Sequence, residues 1–304
     1  MLQWQKSGMV FEVDGAVAWR RTHACLPTPL HLGGDLYRIF FTGRDDENRS
    51  HVGFFDLELR EPYRVVRVSE KPVLGPGALG TFDDCGVYGS AVVPYQGRYY
   101  MYTVGWNRGS RQPLFYSSLG LAISDDGETF HRYSPAPLLG RSEHDPCSLV
   151  SPFVHIEDGV WRMWYVSCIR WEETAKGAQS YYHVKYAESV DGIHWQRSGH
   201  IAFDFAASDE TNIGRPYILR GKDRYRAWVP YGRGWGRYRI GYAESPDGLH
   251  WQRKDEQVGI GLSESGWDSQ MIAHPAVIKH NDRMFMLYNG NQFGKAGMGL
   301  AIAA

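Results

Sequence analysis

Three carboxylates and a few basic residues have the types and spacing to do chemistry. Glu210 stands in Asp-Glu-Thr-Asn-Ile-Gly-Arg-Pro, residues 209–216, where comparable stretches carry Cys85, Pro146 and Ser269. A carboxyl group drawn out of water has its pKa raised and then serves as a general acid, which makes Glu210 the candidate proton donor. Asp145 and Asp84 are candidates for the opposing base or nucleophile. Arg215 offers a planar fork of donors suited to a carboxylate, a phosphate or a sugar hydroxyl. His274, His23, His144 and Arg20 sit in comparable stretches and complete a set of anion or hydroxyl ligands. Trp106-Asn107 and Trp235 put indoles beside amides and guanidinium groups, a combination that stacks on sugar rings and bonds their hydroxyls.

These residues must be positioned by a repeat. Leu119-Gly-Leu-Ala-Ile-Ser-Asp-Asp-Gly127, Val184-Lys-Tyr-Ala-Glu-Ser-Val-Asp-Gly192 and Ile240-Gly-Tyr-Ala-Glu-Ser-Pro-Asp-Gly248 are strands running into an Asp-Gly turn, a strong hairpin signal. The strand without its turn recurs at Val52-Gly-Phe-Phe55 and Met298-Gly-Leu-Ala301. An alternating aromatic strand precedes each copy, as in Trp161-Arg-Met-Trp-Tyr165, and a small-residue strand precedes that, as in Ser151-Pro-Phe-Val154. A fourth strand follows the turn as His-Trp-Gln-Arg, residues 194–197 and 250–253. Nearly the same phrase opens the chain, Leu2-Gln-Trp-Gln-Lys-Ser-Gly8, whereas the fifth unit stops at Ala304 after its third strand.

Four antiparallel strands repeated five times predict an all-β, five-bladed β-propeller whose N-terminal strand completes the last blade. The expected organisation is a single domain over residues 1–304, with blades near 20–68, 84–133, 145–198, 209–254 and 268–304 plus 1–8. An Asp recurs six residues before Ser90, Ser151, Arg215 and His274, as Asp84, Asp145, Asp209 and Asp268. Recurrence in four blades has an architectural explanation, a carboxylate that accepts bonds from a neighbouring turn. Glu210, outside that series, is the better acid.

Composition excludes other classes. A formal net charge of −1 gives no long-range pull toward nucleic acid or an anionic membrane. No apolar run approaches the roughly 18 residues of a membrane span, and no signal segment opens the chain. Four scattered cysteines lack metal-knuckle spacing, and their reading is as reduced thiols in a cytoplasmic protein.

The Ser-x-Asp-Gly-x-His-Trp hairpins in a fivefold repeat resemble the five-bladed propeller glycoside hydrolases: the arabinanases and xylosidases of family 43, the invertase and levansucrase families, and the mannoside phosphorylases of family 130. The resemblance implies a substrate, small or oligosaccharide, in an axial funnel facing the innermost strands. It implies an axial His at His274, no cofactor, and a central structural cation near that His as the one ion to consider. The family's Asp-Pro and Glu-x-Pro carboxylate motifs are replaced here by Leu26-Pro27, Ser151-Pro152 and Arg215-Pro216, and the Glu-Asp-x-Arg motif of the phosphorylases is absent. Three functions follow: a glycoside hydrolase using Glu210 with Asp84 or Asp145, a phosphorylase or anion-handling sugar enzyme using Arg215 and His274, and a non-catalytic glycan-binding propeller.

Overall fold

The computed structural model describes residues 2–110, 115–175, 177–234 and 236–304. Nearly all regular structure is strand, built where aromatic and β-branched residues alternate with turn residues. β1 (Trp4–Glu12) comes first. One four-stranded sheet then follows as β2 (Thr22–Gly33), β3 (Leu36–Arg44), β4 (Ser50–Glu58) and β5 (Arg64–Val68). A second holds β6 (Val87–Tyr95), β7 (Arg98–Arg108), β8 (Phe115–Ser124) and β9 (His131–Arg132).

The next strands are β10 (Ser148–Glu157), β11 (Val160–Thr174), β12 (Gly177–Ser189) and β13 (Gln196–Phe203). After them come β14 (Asn212–Ile213), β15 (Tyr217–Arg220), β16 (Tyr225–Gly232), β17 (Tyr238–Ser245) and β18 (Gln252–Arg253). These two groups are joined into one nine-stranded sheet by a parallel bridge between Tyr182 and Asn212. The last sheet runs β1, β21 (Gly297–Ala303), β20 (Arg283–Asn289), β19 (Ala273–His280). β1 lies antiparallel to β21, with Trp4 opposite Ala303 and Lys6 opposite Ala301. No helix of the described residues is long and apolar enough to cross a membrane.

The Ser-x-Asp-Gly turns are self-satisfying. In residues 245–250 the Asp247 Oδ1 accepts the amides of Leu249 and His250, and Ser245 Oγ accepts those of Asp247 and Gly248. Gly248 holds φ near +79°, which a side chain would resist. Each turn is also tied to the preceding group of strands. Gly127 O accepts from Arg38, Gly192 O from the Tyr102 hydroxyl at 2.8 Å, and Gly248 O from the Trp164 indole at 2.8 Å. The next indole in that series, Trp228, has no such partner and packs edge-on against Trp4 of β1, ring centroids 6.0 Å apart. Apolar packing of the opening phrase thus stands where a hydrogen bond stands elsewhere.

Candidate functional site

The first strand of each group faces a shared central cavity of about 150 Å³. Leu26, Ser151 and His274, each preceding a proline, hold φ of 59°, 37° and 50°. Residues before proline favour extended backbone, and a left-handed non-glycine residue costs about 1–3 kcal/mol, so three in equivalent places mark a built feature. The strand registers slip at these points, between Cys25 and Thr28, Val150 and Phe153, and Ala273 and Ala276. All three residues border the cavity, as does Arg215, the fourth residue of the X-Pro series. Arg44, Tyr88, Tyr182, Tyr238 and Phe293 complete the polar and aromatic wall.

Arg215 is 1% exposed and, among the described residues, pairs with no carboxylate. Its Nη1 donates to Thr28 Oγ1 at 3.1 Å and to Ser90 O, and its Nη2 to Pro27 O at 2.8 Å. Its Nε is buried without a hydrogen-bond partner. Burial, partly opposed by Tyr217, pulls the guanidinium down to about 10, so it is still charged at neutral pH. An uncompensated buried cation is costly, and a bound anion relieves that cost. Among the described residues, Asp209 and Glu210 pair with Arg233 and Arg253 and not with Arg215. Arg44 adds a second guanidinium, whose one hydrogen bond among the described residues goes to Asn48 Oδ1 at 3.2 Å.

His274 Nδ1 meets Asn289 Oδ1 at 3.1 Å, and its ring stacks with Phe293 at 6.0 Å. Burial, then the charge of Arg215, lowers its pKa to about 4. A second cavity of about 450 Å³ shares Arg44 and Phe293 with the first and is bordered by His23, Gln292 and Lys295. His23 is likewise lowered to about 4, by burial and then by Arg44 and Lys295. No carboxylate borders either cavity among the described residues. A central cation beside His274 would face Arg215 with nothing to offset its charge, so these residues do not fit the ion the resemblance raised; the same residues suit an anion.

The carboxylates are engaged elsewhere, in a repeated ion pair. Before each of four inner strands a buried carboxylate meets a cation of an outer strand: Asp83 with Arg132 at 2.7 Å, Asp145 with Arg197 at 2.8 Å, Glu210 with Arg253 at 2.6 Å, and Asp268 with Lys6 at 2.7 Å. The repeat therefore runs through Asp83 and Glu210, correcting the series drawn from sequence through Asp84 and Asp209. Glu210 is the regular member in its place, doubly bonded by Arg253 and accepting the Ala206 amide at 2.9 Å. Asp145 is fully buried and also accepts from Ser167 Oγ at 2.7 Å and the Tyr165 hydroxyl at 3.1 Å. Asp209 pairs with exposed Arg233 at 3.3 Å.

The other expected residues scatter. Asp84 accepts from Gly80 N at 3.0 Å and from Asn107 Nδ2 at 2.6 Å; these bonds outweigh its desolvation and hold it below the usual carboxylate range. Trp106 donates to Ser50 Oγ at 2.7 Å, joining the first two sheets. Arg20 sits between Trp19 and Phe11 and pairs with Asp14 at 3.6 Å. His144 offers its carbonyl to Lys185 at the rim of the Asp145 cluster. Trp235 lies outside the described residues. The structure thus gathers Arg215, His274 and, one layer out, His23 at the cavity, and brings Asp84 and Asn107 together away from it.

No family model matches the chain. It is 39% identical over 302 residues, 99% of each chain, to the uncharacterized protein Rv1502 of Mycobacterium tuberculosis. The chain belongs to the Rv1502 family. This Rv1502-family chain is also 26% identical over 233 residues to the 1,2-beta-oligomannan phosphorylase of Thermoanaerobacter sp., matching 74% of the former and 71% of the latter. Among solved structures, the BT0996 complex with RGII aligns at TM-score 0.76 and 17% identity, over 98% of this chain and 90% of that one. The endo-arabinase of Bacteroides thetaiotaomicron aligns at 0.62 and 16%, over 96% of each. The fold is that of the propeller glycoside hydrolases.

For the Rv1502-family chain, Arg44, Tyr88, Tyr182, Tyr238 and Phe293 were not legible as cavity residues. Arg44 carried one signal: it ends the second strand of its sheet, much as Asn107 lies one residue from the end of β7 in the next. Asn289, the last residue of β20, is fully buried beside His274.

Proposed function

We propose that this protein is a carbohydrate-active enzyme that handles an anion in the axial cavity of a closed five-bladed propeller, transferring a glycosyl group between phosphate and a hydroxyl. The observation that carries the reading is the buried Arg215 guanidinium, with no carboxylate partner and an unbonded Nε at a cavity it shares with Arg44. The phosphorylase named among the relatives supports the same chemistry. A phosphate leaving group departs as an anion and needs no acid to protonate it, which suits a cavity without a carboxylate. Hydrolysis through Glu210 is less favoured because Arg253 already occupies that carboxylate. A second reading, an anionic-glycan binder without turnover, draws on the same lack of a carboxylate.

Calorimetry with inorganic phosphate and with a panel of glycosyl phosphates, followed by assay of phosphate release with sugar acceptors, tests both. Binding that weakens about 10- to 100-fold in Arg44→Met, by ~1.5–3 kcal/mol, supports the anion site. Turnover separates enzyme from binder. Equal affinity in wild type and variant removes the proposal.

A further inference from the structure

We infer that His274 is the proton acceptor of the central cavity, because Asn289 fixes its imidazole with hydrogen on Nδ1 and leaves the Nε2 lone pair to a hydroxyl held there. The inference rests on the glycosyl-transfer reading above, but the tautomer follows from bonding alone. The orientation of the Asn289 amide is dictated by three backbone groups. Its Nδ2 donates to Ala24 O at 2.8 Å and Gly297 O at 3.2 Å, and its Oδ1 accepts from Leu26 N at 3.0 Å. Reversal would set an NH2 against an N–H and a carbonyl against two carbonyls. The atom facing His274 is therefore an oxygen, which only accepts, so Nδ1 must carry the hydrogen.

A neutral imidazole has one N–H, and Nε2 is then a lone pair. Nε2 has no hydrogen-bond partner among the described residues, and the ring borders the cavity with its Nδ1 edge turned away to Asn289. The left-handed backbone at His274 is what brings the ring to this place.

The surroundings keep the lone pair free. Arg215, ahead of β15, and Arg44, at the end of β3, both oppose a charge on the ring. The remaining titratable neighbours are Cys25 of β2, Tyr88 of β6, Tyr182 of β12 and Tyr238 of β17. Burial raises all four, and the Tyr182 and Tyr238 hydroxyls bond to each other, so none brings a negative charge at neutral pH. His274 thus accepts where the sequence suggested an anion ligand; the guanidinium groups are the anion's partners.

In the transfer step Nε2 takes the proton of an acceptor hydroxyl as that oxygen bonds to the anomeric carbon. The carbon–oxygen bond to phosphate breaks, and its electron pair stays on the phosphate beside Arg44 and Arg215. The imidazolium then returns its proton to phosphate or water.

Three measurements on the full chain test this. Nitrogen-15 NMR of histidine-labelled protein, with His274 assigned by its loss in His274→Gln, should show a protonated Nδ1 and an unprotonated Nε2 from about pH 6 to about pH 8. A protonated Nε2 overturns the assignment whatever the activity. With glycosyl phosphate and acceptor, His274→Gln should lower kcat about 100-fold or more while KM for the glycosyl phosphate stays within about threefold. Unchanged kcat overturns the catalytic role. Asn289→Asp should raise the imidazole pKa and move the acid limb of the pH profile upward; a limb that stays in place rejects Asn289 as its positioning residue. If wild type turns over no glycosyl phosphate while the tautomer is as stated, the glycosyl-transfer reading falls and takes the catalytic step with it.

Discussion

Lys6 and Asp268, 262 residues apart in the chain, form an ion pair of 2.7 Å between the outer edge of the last sheet and the segment that leads into its inner strand. Asp268 is nearly fully buried and also accepts from the Tyr288 hydroxyl at 2.9 Å. Lys6→Met should cost about 1–3 kcal/mol, because it strands a buried carboxylate that retains its other bonds. Removal of residues 1–8 should cost more, since it also strips Trp4 from Trp228. Thermal melts check both, and unaltered melting temperatures would contradict a stabilising role for β1. Desolvation raises the pKa of Asp268, but bonds from Lys6, Ser263 and Tyr288 win and hold it low. A depressed carboxylate contributes stability above its unfolded pKa, near 4, and loses it as pH falls through the folded value. The wild-type advantage over Lys6→Met should therefore vanish at the acid end.

Glu210→Gln is expected to be a stability variant. It leaves Arg253, 11% exposed at its side chain, with Asp255 as its remaining carboxylate. A loss of about 3–5 kcal/mol in denaturant titrations is anticipated from breaking a buried pair. Full stability with abolished turnover would restore Glu210 as a general acid.

Histidine protonation gives a second pH signature, of the opposite group type but the same direction. His274 and His23 titrate at about 4 in the folded chain against an ordinary 6.5. As pH falls below about 6.5 the unfolded chain takes up protons that the native state refuses. Stability then drops, with a limiting slope of about 1.4 kcal/mol per pH unit for His274. Urea midpoints at a series of pH values should show the His274→Gln variant with a shallower slope between 6.5 and 4. Equal slopes would mean that His274 is not held neutral.

Asp247→Ala removes the acceptor of two turn amides and the partner of His250 Nδ1 at 2.7 Å. Loss of such a cap costs about 0.5–2 kcal/mol. Because Gly248 O also receives the Trp164 indole, near-ultraviolet circular dichroism should register a change of Trp environment. A variant with wild-type stability and spectrum would show that the turn is held by its backbone alone.

What sequence alone determined was the local and the repeated. The Ser-x-Asp-Gly turns form from bonds between residues two or three apart, so their pattern is complete within a few letters, and the opening Trp-Gln-Lys phrase could be matched to its interior copies. The same logic located Arg215 and His274 through the proline that follows each. Tertiary structure decided which of two adjacent carboxylates serves. Asp83 rather than Asp84, and Glu210 rather than Asp209, turn to cations 49 and 43 residues away. Both pairs sit in turns, closed by Asp84 N to Thr81 O and Glu210 N to Ala207 O, where neighbouring side chains diverge, and only the placement of the outer strand settles which of them meets its cation. The tautomer of His274 has the same origin, since it depends on Ala24, Leu26, Asn289 and Gly297 converging from three strands beside it.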